Sequence, residues 1–276
     1  MKYLKKAGII TMGIIMAFGV SACGKTKEKN QDVTEVVRVG VVGESNEMWN
    51  PVIDKLAQEG IAVELISFSD YATPNAALNG GEVDLNAFQH HAYLTSEIEN
   101  NGYHITPIGN TYISAMNIYS DHYEDVSQIK EGDKIAIPND ATNGGRALKI
   151  LEGAGLIETR TESGDSPEVS DIISNPLNLE LVEVDAANVY SLLPDVAAGV
   201  INCDYALDSG LNPQKDAIYA DSIDVYDSDS YINLIAARTE DAEKEIYHKV
   251  VEAYQSEEVK AVYEDTFQGA YLPAWE

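Results

Sequence analysis

From Val36 onwards, short apolar runs alternate with amphipathic stretches, and turn residues separate them. Val36–Val42 is a β-branched run bounded by Gly43, which is typical of a buried strand. Asn50-Pro51 predicts the start of a helix, with Asn50 as its N-cap and the proline in its first turn, and Gly60 predicts its end. Ala62–Phe68 predicts the second strand. The chain therefore begins as a strand–helix–strand unit.

The same alternation continues to the C-terminus. Further strands are predicted at Val83–Ala87, within Ile105–Tyr119, and at Lys134–Pro138, Leu179–Val184, Val200–Ala206 and Tyr231–Arg238. Further helices are predicted from Thr73-Pro74 to Asn79, and at Gln89–Asn100, Thr142–Gly153, Ala187–Leu193, Ala242–Glu252 and Ser256–Phe267. Strands alternating with helices are typical of α/β proteins with mainly parallel sheets. Such sheets bind ligands beyond the carboxyl ends of their strands.

The N-terminal segment has the features of a secretory signal. Met1–Lys6 contains three lysines, and the apolar run Ala7–Val20 is shorter than the about 20 residues that a spanning helix needs. Val20-Ser-Ala-Cys23 resembles a bacterial lipobox, which implies a signal peptide at 1–22 and acylation of Cys23. Residues 23–35 then form a lipidated cysteine and a flexible polar tether. The alternative is an ordinary signal peptide in which Cys23 has no role.

Charge and cysteine content limit the classes of partner. The chain has 46 acidic and 18 basic residues and a formal net charge of −28. Such a surface argues against electrostatic binding of nucleic acid or anionic lipid headgroups. If Cys23 is acylated, Cys203 has no disulfide partner, and we expect it to be a small buried apolar residue.

Aromatic residues cluster near two predicted strand ends. Phe88, His90 and Tyr93 lie where a strand runs into a helix, and Tyr71 follows the preceding strand. Aromatic walls with a few polar tips are suited to capture of an apolar side chain. The alternative is that Phe88 and Tyr93 are core residues at helical spacing. Adjacent histidines on a helix point about 100° apart, so His90 and its neighbour predict no metal site.

Polar candidates follow two later strands. After Pro138, Thr142 or Asn143 is expected to cap a helix, and Arg146 in its first turn is suited to clamping a carboxylate. The alternative for Arg146 is a surface ion pair. Asn202 and Asp204 follow an apolar run and are suited to an ammonium group. Alternatively, Asn202 terminates a strand and Asp204 is a solvated loop acid.

These segments resemble the NlpA/MetQ family of methionine-binding lipoproteins of ABC importers. The resemblance covers nearly all of the chain after the tether. It is carried by Phe68-Ser-Asp-Tyr71, Phe88-Gln-His90, Ile137-Pro-Asn-Asp140 with Asn143-Gly-Gly-Arg146, Val200–Asn202 and Pro273-Ala-Trp275. It implies a type 2 periplasmic-binding-protein fold of the α/β class, with two lobes of mixed sheets and flanking helices. Two hinge crossings are expected near Ala115–Tyr119 and Ser228–Asn233. Lobe 1 would comprise 36–117 plus 231–276, and lobe 2 would comprise 118–230.

The resemblance also implies roles for the candidate residues. Four aromatic side chains enclose the methionine side chain, namely Tyr71, Phe88, His90 and Tyr93. Asn143 and Arg146 hold the carboxylate, Asn202 faces the amino group, and Asp204 adds a charge there. The implied partners are an ABC permease and its ATPase, with no cofactor, metal or nucleic acid. The protein would be lipid-anchored on the outer face of the cell membrane, with a Gram-positive surface favoured.

One segment departs from the family pattern. Gly43–Trp49 replaces a turn of smaller residues in typical members and is expected to face the crevice, so another small amino acid or a methionine dipeptide is an alternative ligand. A surface adhesin or antigen on the same fold is a further alternative. A hydrolase is not expected, because no G-x-S-x-G or zincin motif occurs. We therefore expect a binding protein and not an enzyme.

Overall fold

The structure, a computed structural model, describes residues 35–160, 166–222 and 229–275. The strands in these ranges are β1 (Glu35–Val42), β2 (Ile61–Phe68), β3 (Leu85–His90), β4 (Ile105–Asn110), β5 (Tyr112–Ser114), β6 (Asn117–Tyr119), β7 (Lys134–Pro138), β8 (Glu158–Thr159), β9 (Ile172–Ser174), β10 (Glu180–Val184), β11 (Ala198–Ile201), β12 (Asn233–Arg238) and β13 (Tyr271–Pro273). The α-helices there are α1 (Asn50–Ala57), α2 (Pro74–Gly80), α3 (His91–Asn101), α4 (Ala141–Gly153), α5 (Cys203–Asp208), α6 (Glu245–Tyr254) and α7 (Glu257–Asp265). The predicted signal peptide and Cys23 lie outside the described residues, as does the tether up to residue 34.

A five-stranded sheet organises the first lobe. Its strand order is β2-β1-β3-β12-β4. β1 pairs in parallel with β2 and β3, whereas β12 is antiparallel to both of its neighbours. The parallel strands direct their carboxyl ends to one edge, where Phe68 and His90 lie. Ligand-binding residues are expected at this edge.

A four-stranded sheet organises the second lobe. Its strand order is β10-β7-β11-β6, with β7 parallel to β10 and β11, and β6 antiparallel to β11. Both sheets are therefore mixed, and the α/β class predicted from the sequence is confirmed. The antiparallel strand β6 of the second sheet follows β5 of the first lobe in the chain. The antiparallel strand β12 of the first sheet comes after the elements of the second lobe.

Each sheet has its own hydrophobic core. In lobe 1, β1 packs on α1 and the C-terminal helices, and the rings of Trp49 and Tyr254 lie 4.8 Å apart. In lobe 2, β6 and β7 pack on α4 through residues such as Ile135 and Leu151, both fully buried. The C-terminal helices α6 and α7 thus pack on the first sheet and stabilise it, although they come after the strands of the second sheet in the chain. In the described residues, no helix is both long and apolar enough to cross a membrane.

Several element boundaries differ from the sequence prediction. The strand predicted to end at Ala87 continues to His90, because β12 pairs with it as far as that residue. α1 contains Asn50, and Trp49 occupies its N-cap position. α4 is capped by Asp140, whose side chain accepts a hydrogen bond from the Asn143 N–H, and not by Thr142 or Asn143.

Two predicted segments take a different secondary structure. β11 ends at Ile201, and Cys203–Asp208 is helical, so only the first two residues of the strand predicted at Val200–Ala206 are in a strand. Asn202 has extended backbone angles and separates the two elements. The helix predicted at Ala187–Leu193 consists of two 3-10 segments.

The first crossing between the sheets is short. The chain leaves β5 at Ser114 and begins β6 at Asn117. Ser228, the predicted start of the second crossing, lies outside the described residues, which resume at Asp229. The exact lobe limits at 117/118 and 230/231 stay a prediction.

Candidate ligand-binding site

A cavity lies where the strand ends of the two sheets meet. Its empty volume, which includes space open to solvent, is about 410 Å³. All eight ligand-binding candidates from the sequence line it: Tyr71, Phe88, His90, Tyr93, Asn143, Arg146, Asn202 and Asp204. The two sheets thus bring together residues that are up to 133 positions apart in the chain.

The aromatic candidates form one wall of the cavity. The ring of Tyr71 lies 5.9 Å from that of Phe88 and 6.0 Å from that of Tyr93. Phe88 and Tyr93 are 6.1 Å apart in an edge-on arrangement, and each is less than 10% exposed. These rings are therefore buried and line the cavity at the same time, and their role in capturing a ligand side chain stays a prediction.

His90 occupies the junction of β3 and α3. Its Nδ1 accepts the backbone N–H of Tyr93 at 3.1 Å, which places the proton of a neutral ring on Nε2. Nε2 lies 3.4 Å from Oδ1 of Asn143 in the other lobe. Burial, aided by the positive charge of Arg146, lowers the pKa of His90 to about 3. His90 is therefore a neutral hydrogen-bond donor at physiological pH.

His91 does not line this cavity. Its Nε2 lies 2.8 Å from Oδ1 of Asn110. His90 ends the strand, so the two histidines do not share a helix as the sequence predicted. In the described ranges, no three His, Cys, Asp or Glu side chains are grouped to hold a metal ion.

An amide network connects the two lobes. Nδ2 of Asn143 donates to the carboxylate of Asp140, at 3.1 and 3.2 Å to its two oxygens. Oδ1 of Asn143 accepts from Nδ2 of Asn202 at 2.8 Å, in addition to its contact with His90. Asp140 therefore fixes the orientation of the Asn143 amide, and Asn143 fixes that of Asn202.

The Oδ1 atom of Asn202 is the exception in this network. Asn202 is 7% exposed, and among the described residues its Oδ1 is the one fully buried side-chain polar atom without a hydrogen-bond partner. Leaving such an acceptor unsatisfied costs about 1–3 kcal/mol. A buried acceptor beside a cavity is suited to a donor on a bound ligand.

Asp204 lies beside it at the start of α5. The Tyr71 hydroxyl lies 2.7 Å from each carboxylate oxygen and donates to Asp204 across the two lobes. Burial raises the pKa of Asp204 to about 6, although the Tyr71 hydrogen bond opposes the increase. Asp204 is thus a half-buried acid on the cavity wall, at the start of a helix, and not the solvated loop acid of the alternative interpretation.

Arg146 lies in the second turn of α4, one turn later than predicted. Its Nη2 donates to the Ser114 carbonyl at 2.7 Å and to Asp221 at 3.2 Å. Its guanidinium carbon lies 4.7 Å from the centre of the Tyr231 ring. The ion pair is buried, at 4% and 6% side-chain exposure, so the alternative of a surface pair is wrong.

Five further residues line the cavity that the sequence analysis did not select: Gln89, Tyr112, Ser114, Cys203 and Asn233. Gln89 lies within the Phe88-Gln-His90 motif, so the motif contained a signal for it. Tyr112 and Asn233 carry no local pattern that marks them. Cys203 is 3% exposed, as expected for a small buried residue, and burial raises its pKa.

The Gly43–Trp49 turn faces the other lobe, as expected, but it does not line this cavity. Backbone N–H groups of the turn donate instead to Asp208 at the end of α5. Trp49 and other residues of the turn line a smaller void that shares Phe88 and Asp204 with the cavity. The turn therefore adjoins the cavity without lining it.

Comparison with known proteins places the chain among bacterial lipoproteins. Residues 37–275 match the model of the NlpA lipoprotein family. "Outer membrane lipoprotein 3" of Mannheimia haemolytica is 40% identical, covering all of both chains. The D-methionine-binding lipoprotein MetQ of Escherichia coli K12 is 36% identical over 95% of each chain.

A solved structure supports the same placement. A nutrient-binding protein from Burkholderia cenocepacia bound to methionine is 41% identical, covers 87% of this chain and all of its own, and has a TM-score of 0.81. The curated relatives come from Gram-negative bacteria and do not support the expected Gram-positive surface. The two-lobed fold with mixed sheets is confirmed. Both sequence and structure show that the chain belongs to the NlpA lipoprotein family.

Proposed function

We propose that this protein is an extracytoplasmic solute-binding protein that captures methionine between its lobes and delivers it to an ABC importer. The observation that carries the proposal is the unpartnered Oδ1 of Asn202, buried in the same cavity as the Arg146 guanidinium and an aromatic wall. A free amino acid has the matching three parts, namely an ammonium, a carboxylate and a side chain.

The ammonium end is the best defined. A protonated amine donates to Oδ1 of Asn202 and interacts with the ionised form of Asp204. Both groups follow β11, so one element of the second lobe recognises the amine. Satisfying Oδ1 removes the cost of a buried unpaired acceptor, and this favours an amine over an apolar group.

The carboxylate end is assigned to Arg146 and Asn143. A guanidinium has five N–H donors and binds carboxylates strongly. Asp221 and Ser114 hold Nη2 and so fix the plane of the guanidinium before ligand arrives. In a preorganised group of this kind, less conformational entropy is lost on binding.

The side-chain end is assigned to the aromatic wall. Tyr71, Phe88, Tyr93 and the neutral ring of His90 provide apolar surface with ring edges. A thioether gains about 0.3–1.5 kcal/mol from contact with such rings. The methionine bound by the Burkholderia protein and the name of the Escherichia coli relative support this ligand.

The location and partners follow from the family and the N-terminus. We infer that Cys23 carries the lipid anchor and that the protein acts on the outer face of the membrane without catalysing a reaction. Its partners would be the permease and ATPase of an importer. The lobes would comprise 36–117 plus 231–276 and 118–230, and the crossings between them would act as the hinge.

Calorimetry on the detergent-solubilised full chain, unfolded and refolded to remove carried-over ligand, tests the proposal. We expect heat on titration with L- or D-methionine, and weaker binding of leucine, which lacks the sulfur.

Arg146→Ala should weaken methionine binding by at least about tenfold, as loss of a charge-assisted hydrogen bond implies. The exposed Arg160 provides the control, since Arg160→Ala removes a charge from the same lobe. No binding of either methionine isomer would refute the methionine assignment, and tighter binding of glycyl-methionine would favour a dipeptide.

A further inference from the structure

The turn after β1 binds a carboxylate of the other lobe. The backbone nitrogen of Glu44 lies 3.1 and 3.2 Å from the two carboxylate oxygens of Asp208, and that of Ser45 lies 2.9 Å from Oδ1. Asp208 is the last residue of α5, which follows β11 of the four-stranded sheet. These three hydrogen bonds therefore join lobe 2 to lobe 1.

The turn is held in shape by its own lobe. Gly43 N–H donates to the Phe68 carbonyl at 3.0 Å, and the Gly43 carbonyl accepts from the Ser67 hydroxyl at 2.6 Å and the Asn46 amide at 3.1 Å. Successive N–H groups held in one orientation form a binding site for an anion. The turn is thus a preorganised receptor for the Asp208 carboxylate.

Only glycine at position 43 permits this approach. Gly43 has φ +75°, in the left-handed region that L side chains rarely adopt. A Cβ at this position would lie 1.9 Å from Oδ2 of Asp208. A side chain there would therefore push the two lobes apart even if the turn tolerated it.

Other contacts of α5 show that this helix is one of the places where the lobes meet. Asp204 accepts from Tyr71, and the Tyr205 hydroxyl lies 3.5 Å from the Ser69 carbonyl. Tyr71 and Asp204 also line the ligand cavity, so a ligand affects their contact directly. Asp208 and Gly43 do not line the cavity, so their contact can be altered without changing a cavity-lining side chain.

We propose that Asp208 and the Gly43–Ser45 turn form a latch that stabilises the closed arrangement of the lobes and sets ligand affinity without touching the ligand. The inference rests on the proposed function, since it concerns the affinity of that site. Apparent affinity is proportional to the fraction of molecules in the binding-competent form. A weaker latch lowers that fraction and speeds ligand dissociation.

The latch is tested on the full chain with Asp208→Asn, Gly43→Ala and the double variant. We expect each single variant to bind methionine about three- to tenfold more weakly, mainly through faster dissociation. The double variant should bind no more weakly than the weaker single one, because both substitutions remove the same contact. Asp195→Asn, which removes an exposed charge from the same lobe, should leave the affinity unchanged.

Hydrogen exchange of the Glu44 and Ser45 amides separates this inference from the proposed function. In ligand-free protein these amides should exchange several-fold more slowly than in Asp208→Asn, whatever the ligand is. Equal exchange in the two proteins would overturn the latch, as would multiplicative losses of affinity in the double variant. If the wild type binds no methionine but its amides are protected, the ligand assignment fails and the latch stands.

Discussion

The guanidinium of Arg146 lies 3.2 Å from the carboxylate of Asp221, and both side chains are almost completely buried. Arg146 comes from α4 of the second lobe, whereas Asp221 accepts the Met116 N–H and donates its own N–H to Asn117, both at the first crossing. Arg146, which is proposed to bind the ligand carboxylate, is thus linked through Asp221 to the first crossing, about which the lobes would move.

We expect the pair of Arg146 and Asp221 to contribute to the free energy of unfolding. Arg146→Met should lower the free energy of unfolding of the ligand-free protein by about 3–5 kcal/mol, because Asp221 loses its guanidinium neighbour in a buried setting. Adding Asp221→Asn should recover part of the loss, since the buried negative charge is then also gone. Urea unfolding monitored by circular dichroism measures both values. A double variant as unstable as the single one would contradict the expectation.

Asn202 should contribute to ligand affinity more than to folding. Asn202→Ala should weaken methionine binding by about tenfold, while the ligand-free melting temperature changes little, because one of its two polar atoms is unsatisfied before binding. Asn117 is a matched control, since it is equally buried but hydrogen-bonded through both atoms. Asn117→Ala should lower the melting temperature more than Asn202→Ala does.

Because of Asp204, the stability of the ligand-free protein should fall as the pH rises, whereas its affinity for methionine should increase. Its pKa in the folded protein, about 6, exceeds the ordinary 3.8, so the folded state holds the proton more tightly than the unfolded state. The contribution of Asp204 to stability is therefore greatest below about pH 4 and is lost as the pH rises through about 6. Asp204→Asn should remove this part of the pH dependence of ligand-free unfolding.

Methionine affinity should instead rise with pH, because the ammonium interacts with the ionised carboxylate. Between about pH 5 and pH 7.5 the increase should approach tenfold, as one titrating group with this pKa allows. His90, with a pKa of about 3, does not titrate in that interval. Calorimetry at the two pH values checks this, and an affinity independent of pH would show that Asp204 does not contact the amine.

We expect the two cysteines, Cys23 and Cys203, to differ in their reaction with thiol reagents. Cys203 is buried and its pKa is raised, so iodoacetamide should not modify it in the native protein. In urea, the processed protein should show one reactive thiol per chain, because an acylated Cys23 does not react. Mass spectrometry after labelling gives the count. Two thiols on the processed chain would exclude the anchor, and Cys23→Ser should abolish membrane attachment.

Local patterns were sufficient for the class of most elements. The run Val36–Val42 and the segment Thr142–Gly153 carry strand and helix signals in their own side chains, and both elements form within two residues of the prediction. The predicted end of an element was wrong where hydrogen bonds from a distant strand extend that element. β3 extends to His90 because β12, almost 150 residues later, supplies its hydrogen bonds.

The site residues divide in the same way. Arg146, Asn143 and the aromatic residues were found from motifs, because each motif is contiguous and its chemistry is visible in the sequence. Tyr112 and Asn233 were missed because ordinary strand residues become cavity lining only when the sheets meet. The sequence indicated that the Gly43–Trp49 turn faces the crevice, but not that its partner there is Asp208 of the other lobe.

The alternation of strands and helices, the family and the chemical types at the site are all readable from the order of residues in the chain. The pairing of Asp221 with Arg146, the unpaired acceptor of Asn202 and the contact of Asp208 with the Gly43 turn became visible only in the folded protein. The reason is physical. Periodicity and motifs depend on neighbouring residues, whereas burial, pairing and pKa depend on which distant groups share a low-dielectric space.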